Sequence, residues 1–147
     1  MPGATLVYDD DCGFCTWWAN WIEARSEIPL VGFSELEDDS GTYDDLRARL
    51  PDDYEDCSHL VTDGAVYSCG ASIEEALLRA GPAGPLVEPI RFLRHFQDYN
   101  RLREGTYRWV ADHRRWLGYV FRAEPPARER DDGEGRRDDE STRDDGE

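Results

Sequence analysis

The alternation of apolar and polar stretches along the chain predicts a β-α-β unit at its start. Residues 4–10, ATLVYDD, begin with a short apolar run rich in β-forming side chains, which is typical of a strand. Apolar residues then recur at three- and four-residue spacing over 13–26, which predicts an amphipathic helix. The segment IPLVGF, 28–33, predicts a second strand, and Pro29 suits an edge position or that strand's first residue. Such a crossover is expected to be right-handed and to join parallel strands.

The middle of the chain predicts a short helix followed by a hairpin. A polar loop over 34–45 leads into a short helix over 43–50, which the next proline ends. The segment SHLVTDGAVYSCG, 58–70, carries two β-rich stretches on either side of Asp63-Gly64. Because Asp-Gly is a strong signal for a two-residue turn, this segment predicts an antiparallel pair of strands.

Three further helices are predicted in the apolar part of the chain. Residues 71–81, ASIEEALLRAG, carry Ser72 and Glu75 in the spacing of a capping box and end in glycine. After the linker GPAGP, the pattern predicts one helix over 88–105, which also ends at a glycine, and a last one over 106–121. This order of elements predicts an α/β fold, a two-layer sheet with flanking helices that carries two C-terminal amphipathic helices.

Composition changes sharply after residue 121. The chain of 147 residues is rich in Trp, Tyr, Phe, Leu and Val up to that point, and 122–147 is nearly all Arg, Asp, Glu, Gly, Ser and Thr. Such a segment cannot bury enough apolar surface to offset the entropy lost on ordering. We therefore predict one folded domain, 1–121, and a disordered charged tail, 122–147.

The charge of the chain is strongly negative and uneven. The net charge is −16, and all 17 basic residues are arginine. High salt relieves the self-repulsion of such a chain, so the composition resembles that of halophilic proteins, although an acidic protein from a GC-rich genome would look similar. Residues 1–90 carry 4 Arg and 19 acids, whereas 91–121 carry 7 Arg and 3 acids. The basic helices should therefore pack against the acidic part.

The same pattern argues against several classes of function. An acidic total disfavours a nucleic-acid partner, because phosphate binding depends on Lys and Arg. No apolar run approaches the roughly 20 residues of a membrane helix, and no signal peptide is visible. We therefore expect a cytoplasmic protein, where thiols are mostly reduced and disulfides are usually transient and catalytic.

A C-x-x-C motif carries the candidate chemistry. Cys12 and Cys15 lie where the first helix begins, and this pattern beside a β-α-β unit is typical of a thioredoxin-like redox pair. The helix N-terminus favours an anion on the first sulfur, which makes Cys12 the candidate nucleophile and Cys15 the candidate resolving cysteine. The acids at 9–11 oppose a thiolate, so we expect the pKa of Cys12 to lie nearer that of a free thiol than that of a strong oxidant.

The segment YDDDCGFC, 8–15, resembles the D-x-x-C-x-x-C signature of the DCC family of thiol-disulfide oxidoreductases, which have a thioredoxin-like fold. Two further segments are similar to this family, HLVTDGAVYSCGASIEEALL at 59–78 and YRWVADHRRWLG at 107–118. The resemblance covers roughly residues 4–120. It implies a dithiol-disulfide oxidoreductase whose partners are a disulfide-containing substrate and a cellular thiol reductant, with no cofactor and no metal.

The resemblance also implies a role for Asp9 and shows two departures. Asp9 is expected to bond the N–H groups of the active-site loop or to act as a base for Cys15. The family usually has glycine at the next position, where this chain has Asp10, so a positive φ there would be strained. The proline that usually lies opposite the active site of thioredoxins is also missing near Asp63-Gly64.

Other interpretations of the cysteines remain open at this point. Zinc prefers four Cys or His ligands, which Cys57 and His59 could complete, with Cys69 as a fifth candidate. We favour Cys57 and Cys69 as two small buried side chains, while a second disulfide across the hairpin is the alternative. The alternative function is a binding module, with zinc-holding or inert cysteines, whose Arg- and aromatic-rich helices over 91–121 bind an anionic partner.

Aromatic and histidine side chains carry weaker signals. The tryptophans of the first helix are expected in the core, and the alternative is that one lies exposed beside the redox pair as a docking surface. These are Trp17, Trp18 and Trp21. The three histidines are expected at the surface or half-buried. These are His59, His95 and His113.

Overall fold

A four-stranded mixed sheet forms the centre of the computed structural model, which describes residues 3–81, 84–121 and 123–127. The strand order is β2-β1-β3-β4; β1 pairs with β2 in parallel, and the other two pairings are antiparallel. The α/β class, the β-α-β unit and the hairpin predicted from the sequence are therefore confirmed. The strands are β1 (Ala4–Tyr8), β2 (Leu30–Gly32), β3 (His59–Thr62) and β4 (Val66–Ser68).

Helices cover both faces of this sheet. On one face, Leu6 and Tyr8 of β1 pack with Ile22 of the first helix and Ala76 of the fourth. On the other face, Val7 packs in a second cluster with side chains of the short helices and their loops. This division follows from the alternation of side chains along a strand. The helices in the described residues are α1 (Gly13–Glu23), α2 (Phe33–Leu36), α3 (Asp44–Arg47), α4 (Gly70–Ala80), α5 (Val87–Leu93), α6 (Gln97–Asp112) and α7 (Arg114–Val120).

The local sequence signals predict the strands correctly but fail at the starts of two helices, α2 and α4. β2 is an edge strand and begins after Pro29, and Thr62 N donates to Ala65 O across the predicted two-residue turn. The polar loop predicted over 34–45 is helical at its beginning, where α2 lies. The capping box at the start of α4 is wrong, because the helix already begins at Gly70 and Ser72 lies inside it, where its hydroxyl donates to the Cys69 carbonyl.

The C-terminal helices break at other places than predicted. The glycine at 105 lies inside α6, since one glycine in a helix costs only about 1 kcal/mol relative to alanine. The breaks fall around 94–96 and at His113 instead. Asn100 Nδ2 donates to Arg94 O at 2.9 Å at the first break, and at the second His113 Nδ1 lies 2.7 Å from Trp109 O. At the first break a side chain thus bonds a carbonyl near the helix end, and at the second His113 adds a ring contact to a carbonyl that already accepts its own backbone N–H at 3.1 Å.

The C-terminal helices are held to the rest of the fold by an ionic cluster on α4. Arg94 bonds to both Glu74 and Glu75, and Arg103 lies 3.4 Å from Glu74. Tyr99 donates its hydroxyl to Glu74 at 2.6 Å. The prediction that the basic helices pack against the acidic part is confirmed in these contacts.

Most of the large apolar side chains of these helices do not reach the core. In the segment 88–105, Tyr99 is half-buried but Phe92 and Phe96 are exposed. Trp109 and Trp116 further along are exposed as well. None of the helices in the described part of the chain has both the length and the apolarity that a membrane crossing requires.

The predicted tail, 122–147, falls mostly outside the described residues. Its described part, 123–127, lies beside the loop that follows β1. Ala127 N donates to Asp10 O at 3.2 Å, and Pro125 is buried. The domain boundary at 121 stays a prediction.

Candidate active site

Cys12 is the N-cap residue of α1, at the end of the loop that follows β1. Its backbone is extended, with φ −103° and ψ 120°, and its Sγ accepts a hydrogen bond from Cys15 N at 3.3 Å. Its carbonyl accepts from both the amide and the hydroxyl of Thr16, each at 2.9 Å. The sulfur therefore occupies the position in which a Ser or Asp oxygen caps a helix, where an anion is stabilised.

The pKa of the Cys12 thiol is lowered from its usual 9.0 to about 6. The largest cause is the hydrogen bond from the Cys15 thiol, which burial opposes and the Cys15 backbone N–H reinforces; the charge of Asp9 raises this pKa and Arg114 lowers it. The prediction that the acid run keeps Cys12 close to a free thiol is wrong, because the hydrogen bonds from Cys15 outweigh the single carboxylate that acts on it. At neutral pH the thiolate predominates.

Cys15 lies one turn into α1 and is half-buried. Its pKa is raised far above the usual range, first because the thiol donates a hydrogen bond to Cys12 and second because it is buried. The charges of Cys12 and Asp9 act in the same direction, and Arg114 opposes them. The pair thus combines one thiolate with one protonated thiol, which is the division that a nucleophile and a resolving cysteine require.

Asp9 and Arg114 form the charged border of this pair. Asp9 Oδ1 accepts a hydrogen bond from Asp11 N at 3.1 Å, and its Oδ2 lies 3.6 Å from Arg114 Nη1. Asp9 therefore bonds an N–H group of the active-site loop, which is one of the two roles expected for it from the sequence. Arg114 was missed by the sequence reasoning, since it lies on α7, about a hundred residues further along the chain.

Asp10 turns away from the cysteines. Its carboxylate is 2 % exposed and accepts hydrogen bonds from the amide of Ser34, at 3.2 Å, and from its hydroxyl. Gly32 leaves the space for it, because a Cβ there would collide with the Asp10 carboxylate. The strain expected at position 10 is absent, since Cys69 alone among the described non-glycine residues has a positive φ. Asp10 fastens the active-site loop to the start of α2.

Two cavities border the cysteine pair. A polar one of about 520 Å³ is lined by Cys12, and a mainly apolar one of about 560 Å³ by Cys15, with Asp9 and Arg114 in both walls. Tyr107 of α6 lines the apolar cavity, and its hydroxyl accepts from Ser58 N at 3.4 Å. The signal that could have found Tyr107 and Arg114 was the family-like segment over 107–118, which contains both.

Comparisons with known proteins agree with this geometry. The sequence profile of the DCC1-like thiol-disulfide oxidoreductase family matches residues 6–119. The chain belongs to this family. An uncharacterized protein of Bacillus subtilis (strain 168), YuxK, is 25 % identical to it over 120 residues, which cover 80 % of this chain and 83 % of that protein. No solved structure matches the chain. The family supports a general thiol-disulfide oxidoreductase role.

The other two cysteines of this DCC1-like protein form a disulfide. Cys57 and Cys69 are joined with an S–S distance of 2.10 Å and a Cα–Cα distance of 5.1 Å. Our preference for two unpaired buried thiols is therefore wrong. The β3–β4 pairing extends beyond the strand ends, where Cys69 N donates to Ser58 O at 2.9 Å, and this brings the two cysteines together at the open end of the hairpin.

The zinc set considered from the sequence is not assembled. Cys57 has no free thiol, and both ring nitrogens of His59 are engaged, Nδ1 with Ser68 Oγ and Nε2 with Tyr54 O, each at 2.8 Å. His59 is only 1 % exposed, so its expected place at or near the surface is wrong; burial lowers its pKa. Within 3–81, 84–121 and 123–127, no group of three or more potential ligands is placed to hold a metal ion. His95 and His113 are exposed, as predicted.

The tryptophans of α1 are all half-buried, so the alternative of an exposed one beside the redox pair is not found. Trp17 is covered by Phe121, with ring centroids 4.4 Å apart, and Phe14 lies against it on the same helix. Trp18 and Trp21 stack on each other at 5.5 Å. The segment that follows α7 therefore occupies the aromatic surface next to Cys12.

Proposed function

We propose that this DCC1-like protein is a dithiol-disulfide oxidoreductase in which Cys12 is the nucleophile and Cys15 the resolving cysteine. The observation that carries the proposal is the position of the Cys12 sulfur as the acceptor of the α1 N-terminus, 3.3 Å from Cys15 N, with a pKa of about 6. A thiolate at neutral pH is the form that attacks disulfides.

The exchange proceeds in two displacements. Cys12 Sγ attacks one sulfur of the substrate disulfide; the S–S bond breaks, and the second substrate sulfur leaves as a thiolate that takes up a proton. Cys15 then loses its proton and attacks Cys12 Sγ, which releases the first substrate sulfur. The substrate gains two electrons and two protons, and the protein holds a Cys12–Cys15 disulfide. A cellular thiol reductant restores the dithiol.

Asp9 is the residue we assign to the proton of Cys15. The thiol has a raised pKa and must be deprotonated before it attacks, and Asp9 lines the same apolar cavity. Its hydrogen bond from Asp11 N and its approach to Arg114 fix its orientation. Arg114 is a positioning residue in this scheme, since it holds Asp9 and favours the Cys12 thiolate.

The test is capture of the mixed disulfide. Cys12→Ser, Cys15→Ser and the double variant are incubated with oxidised glutathione, quenched with acid and weighed by mass spectrometry. We expect an adduct only on Cys15→Ser, because its Cys12 attacks and cannot be displaced. An adduct on Cys12→Ser alone would reverse the two roles. If neither single variant forms an adduct while circular dichroism shows both folded, the binding-module alternative gains support.

A further inference from the structure

The two cysteine pairs lie at the same end of the sheet. β1 and β3 are antiparallel, with Val7 opposite His59. Beyond these strand ends the chain continues into Asp9 on one side, whose carbonyl accepts from Cys12 N at 3.4 Å, and into Ser58 and Cys57 on the other. The hairpin disulfide therefore borders the loop that carries the nucleophile.

One cysteine of each pair lines a common cavity. Cys15 and Cys57 both line the apolar cavity of about 560 Å³, together with Asp9 and Tyr107, whereas Cys12 lines the neighbouring polar cavity. Tyr107 bonds Ser58 N, next to Cys57, and burial raises its pKa. The same tyrosine thus lines the cavity beside one cysteine of each pair. Cys57 and Cys69 are both half-buried rather than fully buried.

The backbone at Cys69 is unusual for a cysteine. Its φ of 55° and ψ of −127° belong to a region that favours glycine, and a side chain there is strained. Strained backbone of this kind is found mainly at functional sites.

We propose that Cys57–Cys69 is a second redox-active pair, which exchanges two electrons with Cys12 and Cys15 through a Cys12–Cys57 mixed disulfide. The proposal rests on the proposed function in one respect, namely that substrate turnover leaves Cys12 and Cys15 joined in a disulfide. It gives the protein an internal dithiol that reduces the Cys12–Cys15 disulfide left by each substrate turnover.

The exchange balances within the chain. With Cys12–Cys15 oxidised, the Cys57 thiol loses its proton and attacks Cys12 Sγ, and Cys15 leaves as a thiolate that takes up a proton. Cys69 then loses its proton and attacks Cys57 Sγ, which releases Cys12 as a thiolate. The products are the Cys57–Cys69 disulfide and the reduced Cys12 and Cys15, which is the redox state of the structure. In the last step, the low pKa of Cys12 makes its thiolate a good leaving group. A thiol reductant then reduces Cys57–Cys69.

The direct test traps the mixed disulfide. Cys15→Ser/Cys69→Ser retains Cys12 and Cys57, and the matched control Cys15→Ser/Cys57→Ser retains Cys12 and Cys69. Both are reduced, treated with diamide at low protein concentration and mapped by mass spectrometry without reduction. We expect an intramolecular Cys12–Cys57 bond in the first variant and no such closure in the control. No intramolecular bond in the first variant, or equal closure in both, would overturn the proposal.

A second measurement applies if the variants fold poorly. The fully reduced chain and Cys12→Ser are each given limiting oxidised glutathione, and the rate at which the Cys57–Cys69 disulfide appears is followed by alkylation and mapping. We expect this rate to fall about tenfold or more in Cys12→Ser, since the reactive thiolate is the entry point. Equal rates would show that the hairpin pair oxidises by itself, and the proposal falls.

The outcomes separate this proposal from the proposed function. If Cys15→Ser captures glutathione but Cys15→Ser/Cys69→Ser closes no bond to Cys57, external exchange is retained and the internal exchange is rejected. If Cys57 is captured and glutathione is not, the internal exchange is supported and the action on external disulfides is rejected.

Discussion

Two cysteines in this protein lie at helix N-caps, and only one of them has an activated sulfur. Cys12 caps α1 with extended backbone, at φ −103°, and its sulfur accepts a helix amide. Cys69 caps α4 with φ 55°, and its side chain caps nothing. An N-cap side chain reaches the helix amides from the extended region of φ and ψ. The comparison shows that the backbone conformation at the cap, and not the position at a helix start, decides whether the helix stabilises a thiolate.

The largest difference between the two pairs is expected in turnover. Cys12→Ser should lower the rate of disulfide reduction by more than about 10³-fold, because the attacking thiolate is lost. Cys57→Ser/Cys69→Ser should lower this rate much less when dithiothreitol is the reductant, because Cys12 still attacks the substrate disulfide. The measurement is reduction of a model disulfide under saturating dithiothreitol. An equal loss of rate in the two variants would contradict the expected difference between the two cysteine pairs.

The order is expected to reverse for stability. The Cys57–Cys69 disulfide closes a loop with a sequence separation of 12, and removing it should lower the free energy of unfolding by about 2–3 kcal/mol. Cys12→Ser/Cys15→Ser removes no crosslink from the dithiol form and should cost less than about 1 kcal/mol. Urea unfolding of both double variants and of wild type with the hairpin disulfide intact gives the comparison. A larger loss in the Cys12→Ser/Cys15→Ser variant would contradict it.

A smaller effect isolates the backbone at Cys69. In the absence of the disulfide, Cys57→Ser/Cys69→Gly should be more stable than Cys57→Ser/Cys69→Ser by about 1 kcal/mol, because glycine adopts the positive φ without strain. The two variants share the Cys57 change, so their urea midpoints differ only through position 69. Equal stability would mean that the chain relaxes to another φ once the crosslink is gone.

The smallest effect concerns the charges beside Cys12. Its thiolate is lost as the pH falls through about 6, so alkylation by iodoacetamide should decline there. Arg114→Gln removes a positive charge that favours the thiolate and should move this midpoint up, whereas Asp9→Asn should move it down, each by less than about one pH unit. Molar KCl should shrink both shifts by screening.

The exposed neighbour Asp11 supplies the control for these shifts. Asp11→Asn removes a charge close in sequence that is not among the groups shifting the pKa of Cys12, so its effect should be the smallest of the three. If it moved the midpoint as much as Asp9→Asn, the whole acid run would set the pKa, as the sequence first suggested.

What could be predicted from the sequence depended on how local its cause is. The β-α-β unit and the hairpin follow from periodicity and from Asp63-Gly64, which act within a few residues. The helix breaks around 94–96 and at His113 involve side-chain bonds from Asn100 and His113. The pattern of apolar positions along the chain does not predict these bonds.

The same rule holds for the active site. Cys12, Cys15 and Asp9 are found by their spacing in one short motif. Arg114 and Cys57 reach the site only because the sheet and α7 bring them there, so their place at the site could be found only from the folded structure. Asp10 was misjudged for the same reason, since its partner Ser34 is 24 residues away.

The packing of α7 against the beginning of α1 has a consequence for the newly made chain. Arg114 lies 3.6 Å from Asp9, and the Phe121 ring covers Trp17. A ribosome adds about 5–20 residues per second, so the Cys12–Cys15 motif leaves it some 5–20 seconds before these partners do. Throughout that interval the dithiol is outside the tunnel without the charge and the rings that border it in the finished protein. An element synthesised late thus completes the environment of one synthesised early, and the nascent chain passes through a stage in which the cysteine pair is present without Arg114 and Phe121.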